Sequence, residues 1–243
     1  MVFGHSWGQE LLRRARGSFP WQSLEEKLRN SSDSELLYLL PSGDSLTLSE
    51  STAIVSHGTT DLVTGDTALY LMEWATENPA VFTDRTVLEL SSGAGLTGLA
   101  ICKMCHPRAY IFSDCHSCVL EQLRGNILLN GLSLEPDITA NSESPRVTLS
   151  AFHPDTIMAA DVLYCPEIIL SLVGVLWRLS ACQRDQQAPD VYIAFTVRKP
   201  ETCQLCTTEL GRAGIRWEAA TSHGRKLFPY KEHSEMAILQ LVL

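Results

Sequence analysis

A short apolar strand followed by a glycine-rich turn and a helix is the feature that most constrains the fold of this chain. Residues 87–90 read Val-Leu-Glu-Leu, and residues 91–98 read Ser-Ser-Gly-Ala-Gly-Leu-Thr-Gly, where a helical pattern begins. Glycine lets the backbone turn sharply and approach a ligand closely, and a helix N-terminus presents free N–H groups. The segment therefore predicts a binding site for a small molecule at the end of a buried strand.

From residue 86 onward, short apolar strands alternate with helical stretches. Such alternation specifies an α/β fold with a mostly parallel sheet covered on both faces. The last two strands follow one another without a helix between them, so we expect an antiparallel pair there. The predicted strands are residues 86–90, 109–113, 146–149, 156–160, 191–197, 216–219 and 236–243, and the predicted helices are residues 96–104, 117–130, 167–181 and 201–213.

The chain is predicted to have two parts. A short N-terminal extension, residues 1–58, precedes a main domain of residues 59–243. Two amphipathic helical candidates, residues 7–16 and 21–29, are followed by two apolar runs around the turn residues 41–44, a pattern typical of a hairpin. The extension is therefore expected to consist of short helices and a hairpin.

The charge of the chain limits its partners. A formal net charge of −9 argues against a nucleic-acid partner, because affinity for phosphates comes from clustered Lys and Arg. It is compatible with a basic protein substrate. The apolar runs are shorter than the ~20 residues that cross a bilayer, and the N-terminus lacks the pattern of a signal peptide. We therefore expect no membrane insertion and a cytoplasmic location.

Six of the eight cysteines form CxxC pairs, which raises the question of a zinc site. The pairs are Cys102 with Cys105, Cys115 with Cys118, and Cys203 with Cys206. Structural zinc sites usually have four ligands in loops, whereas two of these pairs lie in helical runs. We therefore interpret the cysteines as reduced, partly buried thiols and expect no metal.

The glycine-rich turn alone leaves two cofactor chemistries open. Asp114 ends the next strand, where a carboxylate can accept hydrogen bonds from both ribose hydroxyls, as NAD and S-adenosylmethionine both require. The spacing over residues 93–98 also matches the NAD fingerprint. The acidic Glu89 inside the first strand, the run at residues 159–164 and the closing antiparallel pair favour methyl transfer. An NAD-dependent oxidoreductase would also need a substrate domain, for which the chain has little room.

With these residues in place, the chain resembles the elongation factor 2 lysine methyltransferase family, within the family-16 protein methyltransferases. The resemblance covers residues 19–243 and is carried by residues 87–130 and by the run Ala-Asp-Val-Leu-Tyr-Cys-Pro-Glu at residues 160–167. It implies a Rossmann-like, seven-stranded class I methyltransferase fold with S-adenosylmethionine as cofactor. It also implies a protein lysine as substrate, elongation factor 2 as the partner and a cytoplasmic location.

The resemblance also assigns roles to individual residues. Asp161 and Tyr164 match the family's acidic-x-x-Tyr motif, which faces the acceptor lysine, and they are the candidate catalytic residues. The alternative is that Asp161 caps the following helix and Tyr164 packs against its surroundings. The ribose is assigned to Asp114 and the methionine end of the cofactor to residues 91–93. The candidate cofactor-binding residues are Gly65, Glu89, Ser91, Ser92, Gly93, Gly95, Asp114 and Ala160.

Three features depart from the family pattern. Ser91 replaces the first loop glycine, at a cost of ~1 to 2 kcal/mol if the position needs a positive φ. Gly65 replaces a tryptophan that lies against the cofactor, just before a predicted helix at residues 66–77 with Asp66 as its N-cap. Only residues 150–155 join the predicted third and fourth strands, too few for a crossover helix. The family has an adenine-stacking tryptophan and the crossover helix in this connection.

Because of these departures, the prediction of the fold and the prediction of catalytic activity are made separately. We interpret the chain as a shortened isoform or a divergent paralogue with weakened cofactor contacts. One hypothesis is an active protein-lysine N-methyltransferase. The alternative is a catalytically inactive paralogue that binds elongation factor 2 or the active methyltransferase. A third class, an NAD-dependent oxidoreductase, has the least support.

Overall fold

The computed structural model describes residues 2–3, 34–50, 64–134, 138–141, 153–181, 188–198, 200–220, 227–228 and 235–243. The strands are β1 (Val2–Phe3), β2 (Ser34–Leu39), β3 (Ser45–Glu50), β4 (Thr86–Leu90), β5 (Ala109–Ser113), β6 (Ile138–Asn141), β7 (Thr156–Ala160), β8 (Asp190–Thr196), β9 (Arg216–Ala219) and β10 (Met236–Val242). The helices are α1 (Asp66–Glu77), α2 (Leu96–Cys105), α3 (Ser117–Leu129), α4 (Pro166–Ala181) and α5 (Pro200–Arg212).

The main sheet has seven strands in the order β6-β5-β4-β7-β8-β10-β9. Strands β4 to β8 pair in parallel, and β10 runs antiparallel to both of its neighbours. The predicted closing pair is therefore confirmed. A second, three-stranded sheet in the order β1-β2-β3 belongs to the N-terminal region.

Both faces of the main sheet are buried, because successive residues of a strand point to opposite faces. On β4, Val87 belongs to the core cluster that includes α1, α2 and α3, whereas Leu88 belongs to the cluster that includes α4 and α5. Full burial of one such side chain stabilises the fold by about 1.5–3 kcal/mol. None of the helices in the described residues is long and apolar enough to cross a membrane.

The predicted elements agree with the structure to within one residue at each end over most of the main domain. One exception is the third parallel strand. The predicted strand at residues 146–149 lies outside the described residues, and the strand that pairs with β5 is Ile138–Asn141. Both runs contain β-branched residues, so strand propensity does not distinguish them. Residues 142–155 therefore join β6 to β7, a longer connection than the one predicted.

The N-cap of α1 was also predicted wrongly. It is Gly65, whose backbone is extended, while Asp66 lies in the first turn and makes no capping hydrogen bond. The Gly65 carbonyl accepts from the backbone N–H of Ala68 at 3.1 Å and of Leu69 at 3.4 Å. Because an N-cap residue is the first to accept within the helix, the N-cap lies one residue before the predicted one.

The predicted hairpin is confirmed, since β2 and β3 pair in antiparallel fashion, whereas the helical candidates at residues 7–16 and 21–29 lie outside the described residues. Two asparagines, one in α3 and one at its C-cap, cover the edge of β3. Asn126 Oδ1 accepts from the Ser49 N–H at 2.8 Å, and Asn130 Oδ1 accepts from the Thr47 N–H at 2.9 Å. The fully buried Asn126 also donates to the Ala94 carbonyl at 2.9 Å. One side chain thus joins the hairpin to the glycine-rich turn.

Candidate active site

The predicted site residues cluster at the carboxyl edge of the main sheet. The glycine-rich turn follows β4, Asp114 follows β5, and Asp161 follows β7, which are neighbouring parallel strands. In open α/β sheets, ligands bind outside the carboxyl ends of the strands, near the point where the strand order reverses. Here β4 lies between β5 and β7, so the turn that follows β4 occupies that point.

The backbone of the turn has the left-handed conformation at three positions. The φ angles are 54° at Ser91, 54° at Gly93 and 92° at Gly95, which is the N-cap of α2. Gly93 and Gly95 adopt this conformation without strain, whereas a side chain at Ser91 costs ~1–2 kcal/mol. The expectation that Ser91 occupies a position suited to glycine is therefore confirmed.

Ser92 and Ser113 hold the turn against the end of β5. The Ser92 N–H donates to the Ser113 carbonyl at 2.9 Å, and the Ser113 N–H donates to Ser92 Oγ at 3.0 Å. Both hydroxyls donate to the Glu89 carbonyl, at 3.2 Å from Ser92 and 2.7 Å from Ser113. These bonds satisfy the polar groups of a buried turn and keep it in one conformation. Ser113 is a structural contributor that the sequence analysis did not single out.

Asp114 is buried and has a fixed orientation. Its Oδ2 accepts from the Gly93 N–H at 3.3 Å, and its Oδ1 accepts from the His116 N–H at 3.0 Å. The side chain is thus joined directly to the glycine-rich turn. A carboxylate can accept about four hydrogen bonds, so one held by two backbone donors is suited to receive the hydroxyls of a ribose.

Glu89 lies beneath the turn, not at its mouth. It is 3% exposed, and its Oε2 accepts from the Tyr110 hydroxyl at 3.1 Å. Burial raises the pKa of Glu89 to about 8, so the carboxyl is mostly protonated near neutral pH. A Cβ added at Gly98 would lie 2.7 Å from Glu89 Oε2 and 2.3 Å from Phe112 Cε1. A glycine at position 98 is therefore needed for α2 to pack this closely against β4.

Asp161 has the left-handed conformation, with a φ of 55°. Its N–H donates to the Ala194 carbonyl of β8 at 2.9 Å, and its Oδ2 accepts from Arg198 Nη2 at 2.5 Å. Burial raises the pKa of Asp161, Arg198 lowers it, and the nearby Asp66 raises it again. The carboxylate is thus at the sheet edge, oriented by both its backbone and an ion pair.

The other predicted residues lie around this carboxylate or beside the turn. Ala160 ends β7 and pairs with Ala194 of β8. Tyr164 is 55% exposed, so its ring can contact a bound protein. A Cβ added at Gly65 would meet no heavy atom of the described residues within 4 Å. The individual roles of these residues stay predictions.

Arg198 is the residue that the sequence analysis missed. It follows β8 as Asp161 follows β7, and polar residues after parallel strands are candidates for function. The rule that points to Asp114 after β5 and to Asp161 after β7 also selects Arg198 after β8. As for metals, the described residues contain no group of three or more His, Cys, Asp or Glu side chains able to hold an ion.

Comparison with known proteins gives one family match, to the family described as Lysine methyltransferase, over residues 46–205. The chain is 58% identical over 310 positions to the human protein-lysine N-methyltransferase EEF2KMT, covering 96% of this chain and 94% of that one. The human protein FAM86B1 is 57% identical over 307 positions, covering 95% and 93%. Because 310 aligned positions exceed the 243 residues of this chain, the human EEF2KMT contains segments that this chain lacks.

Solved structures agree on the fold. The crystal structure of M. jannaschii TYW2 in complex with AdoMet has a TM-score of 0.53 at 11% identity, covering 87% of this chain and 86% of that one. A SAM-dependent methyltransferase from Aquifex aeolicus has a TM-score of 0.54 at 15% identity, covering 72% and 92%. The strand order and these neighbours establish the predicted Rossmann-like class I methyltransferase fold.

Proposed function

The chain belongs to the lysine methyltransferase family, and we propose that it uses S-adenosylmethionine to methylate a lysine side chain of a protein, with elongation factor 2 as the target. The observation that carries this proposal is the meeting of a nucleotide-type turn, a ribose-type carboxylate and the acidic-x-x-Tyr motif at one sheet edge. Ser91 to Gly95, Asp114 and Asp161 follow three adjacent strands. The name of the human relative, EEF2KMT, supports the choice of target.

The cofactor side of the site is formed by the glycine-rich turn and Asp114. S-Adenosylmethionine supplies an electrophilic methyl group on a sulfonium centre. Asp114 is expected to accept from the ribose hydroxyls, since two backbone N–H groups hold its carboxylate in place. The N-terminus of α2 at Gly95 is expected to face the amino-acid end of the cofactor and to attract its carboxylate.

The substrate side is formed by Asp161 and Tyr164. A lysine with a pKa of about 10.4 must lose its proton before its nitrogen can attack a methyl group. The Asp161 carboxylate can accept from the amine and direct its lone pair, while the exposed Tyr164 can line the path of the lysine chain. Correct orientation of two reactants can contribute about 7 kcal/mol or more to lowering a barrier. We also expect this protein to be cytoplasmic, because the proposed substrate, elongation factor 2, is intracellular.

The proposal has two parts that are measured separately. Calorimetric titration of the purified full chain with S-adenosylmethionine tests cofactor binding, with Asp114→Ala expected to weaken it by about tenfold or more, as loss of a charged hydrogen-bond acceptor implies. Transfer of labelled methyl groups to purified elongation factor 2, followed by mass spectrometry of the product, tests the reaction and locates the lysine. Asp161→Ala is expected to retain cofactor binding and to lose transfer.

The outcomes distinguish the proposal from its rival. Absence of binding heat at millimolar S-adenosylmethionine would contradict the enzymatic function and would favour the inactive binding paralogue. Binding with transfer to another protein, and none to elongation factor 2, would overturn the proposed target alone. Transfer by Asp161→Ala at the wild-type rate would remove Asp161 from the catalytic residues.

A further inference from the structure

Arg198 lies beside the predicted catalytic carboxylate and is fixed by the same pair of strands. Its Nη2 donates to Asp161 Oδ2 at 2.5 Å, while the Asp161 N–H donates to the Ala194 carbonyl at 2.9 Å. The neighbouring Val197 N–H donates to the Glu235 carbonyl at 2.8 Å, so the backbone next to Arg198 is held against the segment that leads into β10. The ion pair therefore joins Asp161, whose backbone is held by β8, to a residue whose neighbour in the chain is held beside β10.

From this geometry we infer that Arg198 is a positioning residue for the methyl acceptor, which binds one oxygen of Asp161 and turns the other toward the lysine nitrogen. The inference rests on the proposed function. Of the described residues, only Arg198 donates to the carboxylate of Asp161, and it uses Oδ2. Oδ1 is therefore the oxygen that can accept a hydrogen bond from the amine of the substrate lysine. A charge-assisted hydrogen bond to one oxygen restricts the rotation of the carboxylate, and hence the direction from which the amine approaches.

The charge of Arg198 has a second effect on the acceptor. The charged groups that act on Asp161 within the described residues are Arg198 after β8 and Asp66 in α1. Two carboxylates alone would stabilise the lysine as an ammonium ion, which cannot attack a methyl group. The positive charge of Arg198 offsets the negative charge of one carboxylate. The lysine amine can therefore be oriented by Asp161 and still lose its proton.

The partial exposure of the pair fits this role. The side chains of Arg198 and Asp161 are 58% and 34% exposed, so both can be reached by a lysine from a protein surface. An exposed ion pair contributes only about 0–1 kcal/mol to stability. Loss of Arg198 is therefore expected to change the reaction more than the fold.

The test compares the pH dependence of methyl transfer for wild type, Arg198→Ala and Arg198→Lys. For Arg198→Ala we expect the rise of kcat/KM with pH to move upward by about one pH unit, which gives about a tenfold loss near neutral pH and a smaller loss at high pH. Arg198→Lys, which keeps the charge, is expected to recover most of this shift. Affinity for S-adenosylmethionine is expected to stay at the wild-type value in both variants.

Arg212→Ala is the matched control, because it removes an exposed arginine that pairs with Glu209 at 2.6 Å. Arg212 ends α5, roughly 18 Å along the helix from its first residue at 1.5 Å per residue. Its pH profile is expected to equal that of wild type. A uniform loss of activity in Arg198→Ala without a pH shift, or no recovery in Arg198→Lys, would overturn the inference.

A readout without catalysis separates this inference from the proposed function. NMR titration of the Asp161 carboxyl carbon, assigned with Asp161→Asn, is expected to give a higher pKa in Arg198→Ala than in wild type. If wild type transfers no methyl group at any pH, the proposed function fails. In that case a raised Asp161 pKa in the variant would still support the pairing, and an unchanged one would overturn it.

Discussion

Ser91 and Asp161 adopt the same left-handed backbone conformation at the ends of two hydrogen-bonded strands. Their φ angles are 54° and 55°, and the strands that precede them, β4 and β7, pair in parallel with Leu90 opposite Ala159. Such conformations are strained for residues with a Cβ and concentrate at functional sites. The two positions thus carry the proposed cofactor turn and the proposed acceptor carboxylate at one sheet edge.

Replacement of Ser91 by glycine is expected to relieve the strain in the turn. The left-handed conformation costs ~1–2 kcal/mol for serine, and glycine loses part of that gain through its freer unfolded chain, which leaves about 0.5 kcal/mol of added stability. Urea denaturation measures the stability, and calorimetry is expected to give tighter binding of S-adenosylmethionine. Asp84→Gly relieves the same kind of strain before β4, at a φ of 57°, and is expected to leave binding unchanged. Equal binding by Ser91→Gly and wild type would contradict the link to affinity.

Replacement of Gly65 by tryptophan is expected to restore a wall of the cofactor site. The position has an extended backbone, with φ −86° and ψ 159°, and a Cβ there would meet no heavy atom of the described residues within 4 Å, so the backbone accepts a side chain without strain. An added aromatic contact is expected to lower the dissociation constant for S-adenosylmethionine by about tenfold. Calorimetry measures the change. Gly211→Trp, on the open surface of α5, controls for a general effect of the indole, and a similar gain there would refute the assignment of Gly65.

Replacement of Gly98 by alanine is expected to disrupt the packing of α2 against the sheet. The new Cβ would lie 2.3 Å from Phe112 Cε1 and 2.6 Å from Tyr110 Cε1, so the helix must move away from the sheet. We expect a loss of about 2–3 kcal/mol in the free energy of unfolding. Gly125→Ala on α3, where nothing lies within 4 Å, is expected to gain about 0.5–1 kcal/mol. Chemical denaturation measures both, and a stable Gly98→Ala would disprove the tight packing.

Glu89 is expected to make stability depend on pH. Its pKa is about 8 in the folded chain against a usual value of 4.5, so the folded state retains a proton that the unfolded state has released. Its contribution is complete below pH 4.5 and is lost as pH rises through about 8. With 1.36 kcal/mol per pKa unit, the loss is on the order of a few kcal/mol.

Glu89→Gln keeps the shape of the protonated carboxyl and is expected to remove this part of the pH dependence. Urea denaturation between pH 5 and 8 measures it. Glu201→Gln, at an exposed position of α5, accounts for the general loss of one negative charge. If Glu89→Gln and wild type lose stability in parallel across this range, Glu89 does not carry a proton in the folded state.

Local patterns in the sequence were sufficient for most of the fold. The boundaries of β4, β5 and β7 were predicted without error, because apolar runs of strand length between turn residues determine where such strands begin and end. The glycine-rich turn and its site at the sheet edge also followed from the residues themselves, whereas the left-handed conformation at Ser91 was expected from the family's glycine at that position. Resemblance to a known family then indicated the cofactor and the acidic-x-x-Tyr motif, which no local pattern identifies.

Tertiary structure decided the features that depend on residues far apart in the chain. Pairing with β5 selects Ile138–Asn141 as the third strand, and Asn126 joins Ser49 to Ala94. The contact between Arg198 and Asp161 exists because β7 and β8 are neighbours in the sheet. Periodicity and turn chemistry act over a few residues, so the sequence by itself determined the elements and the cofactor turn. Long-range pairing alone determined which side chains meet at the candidate acceptor site.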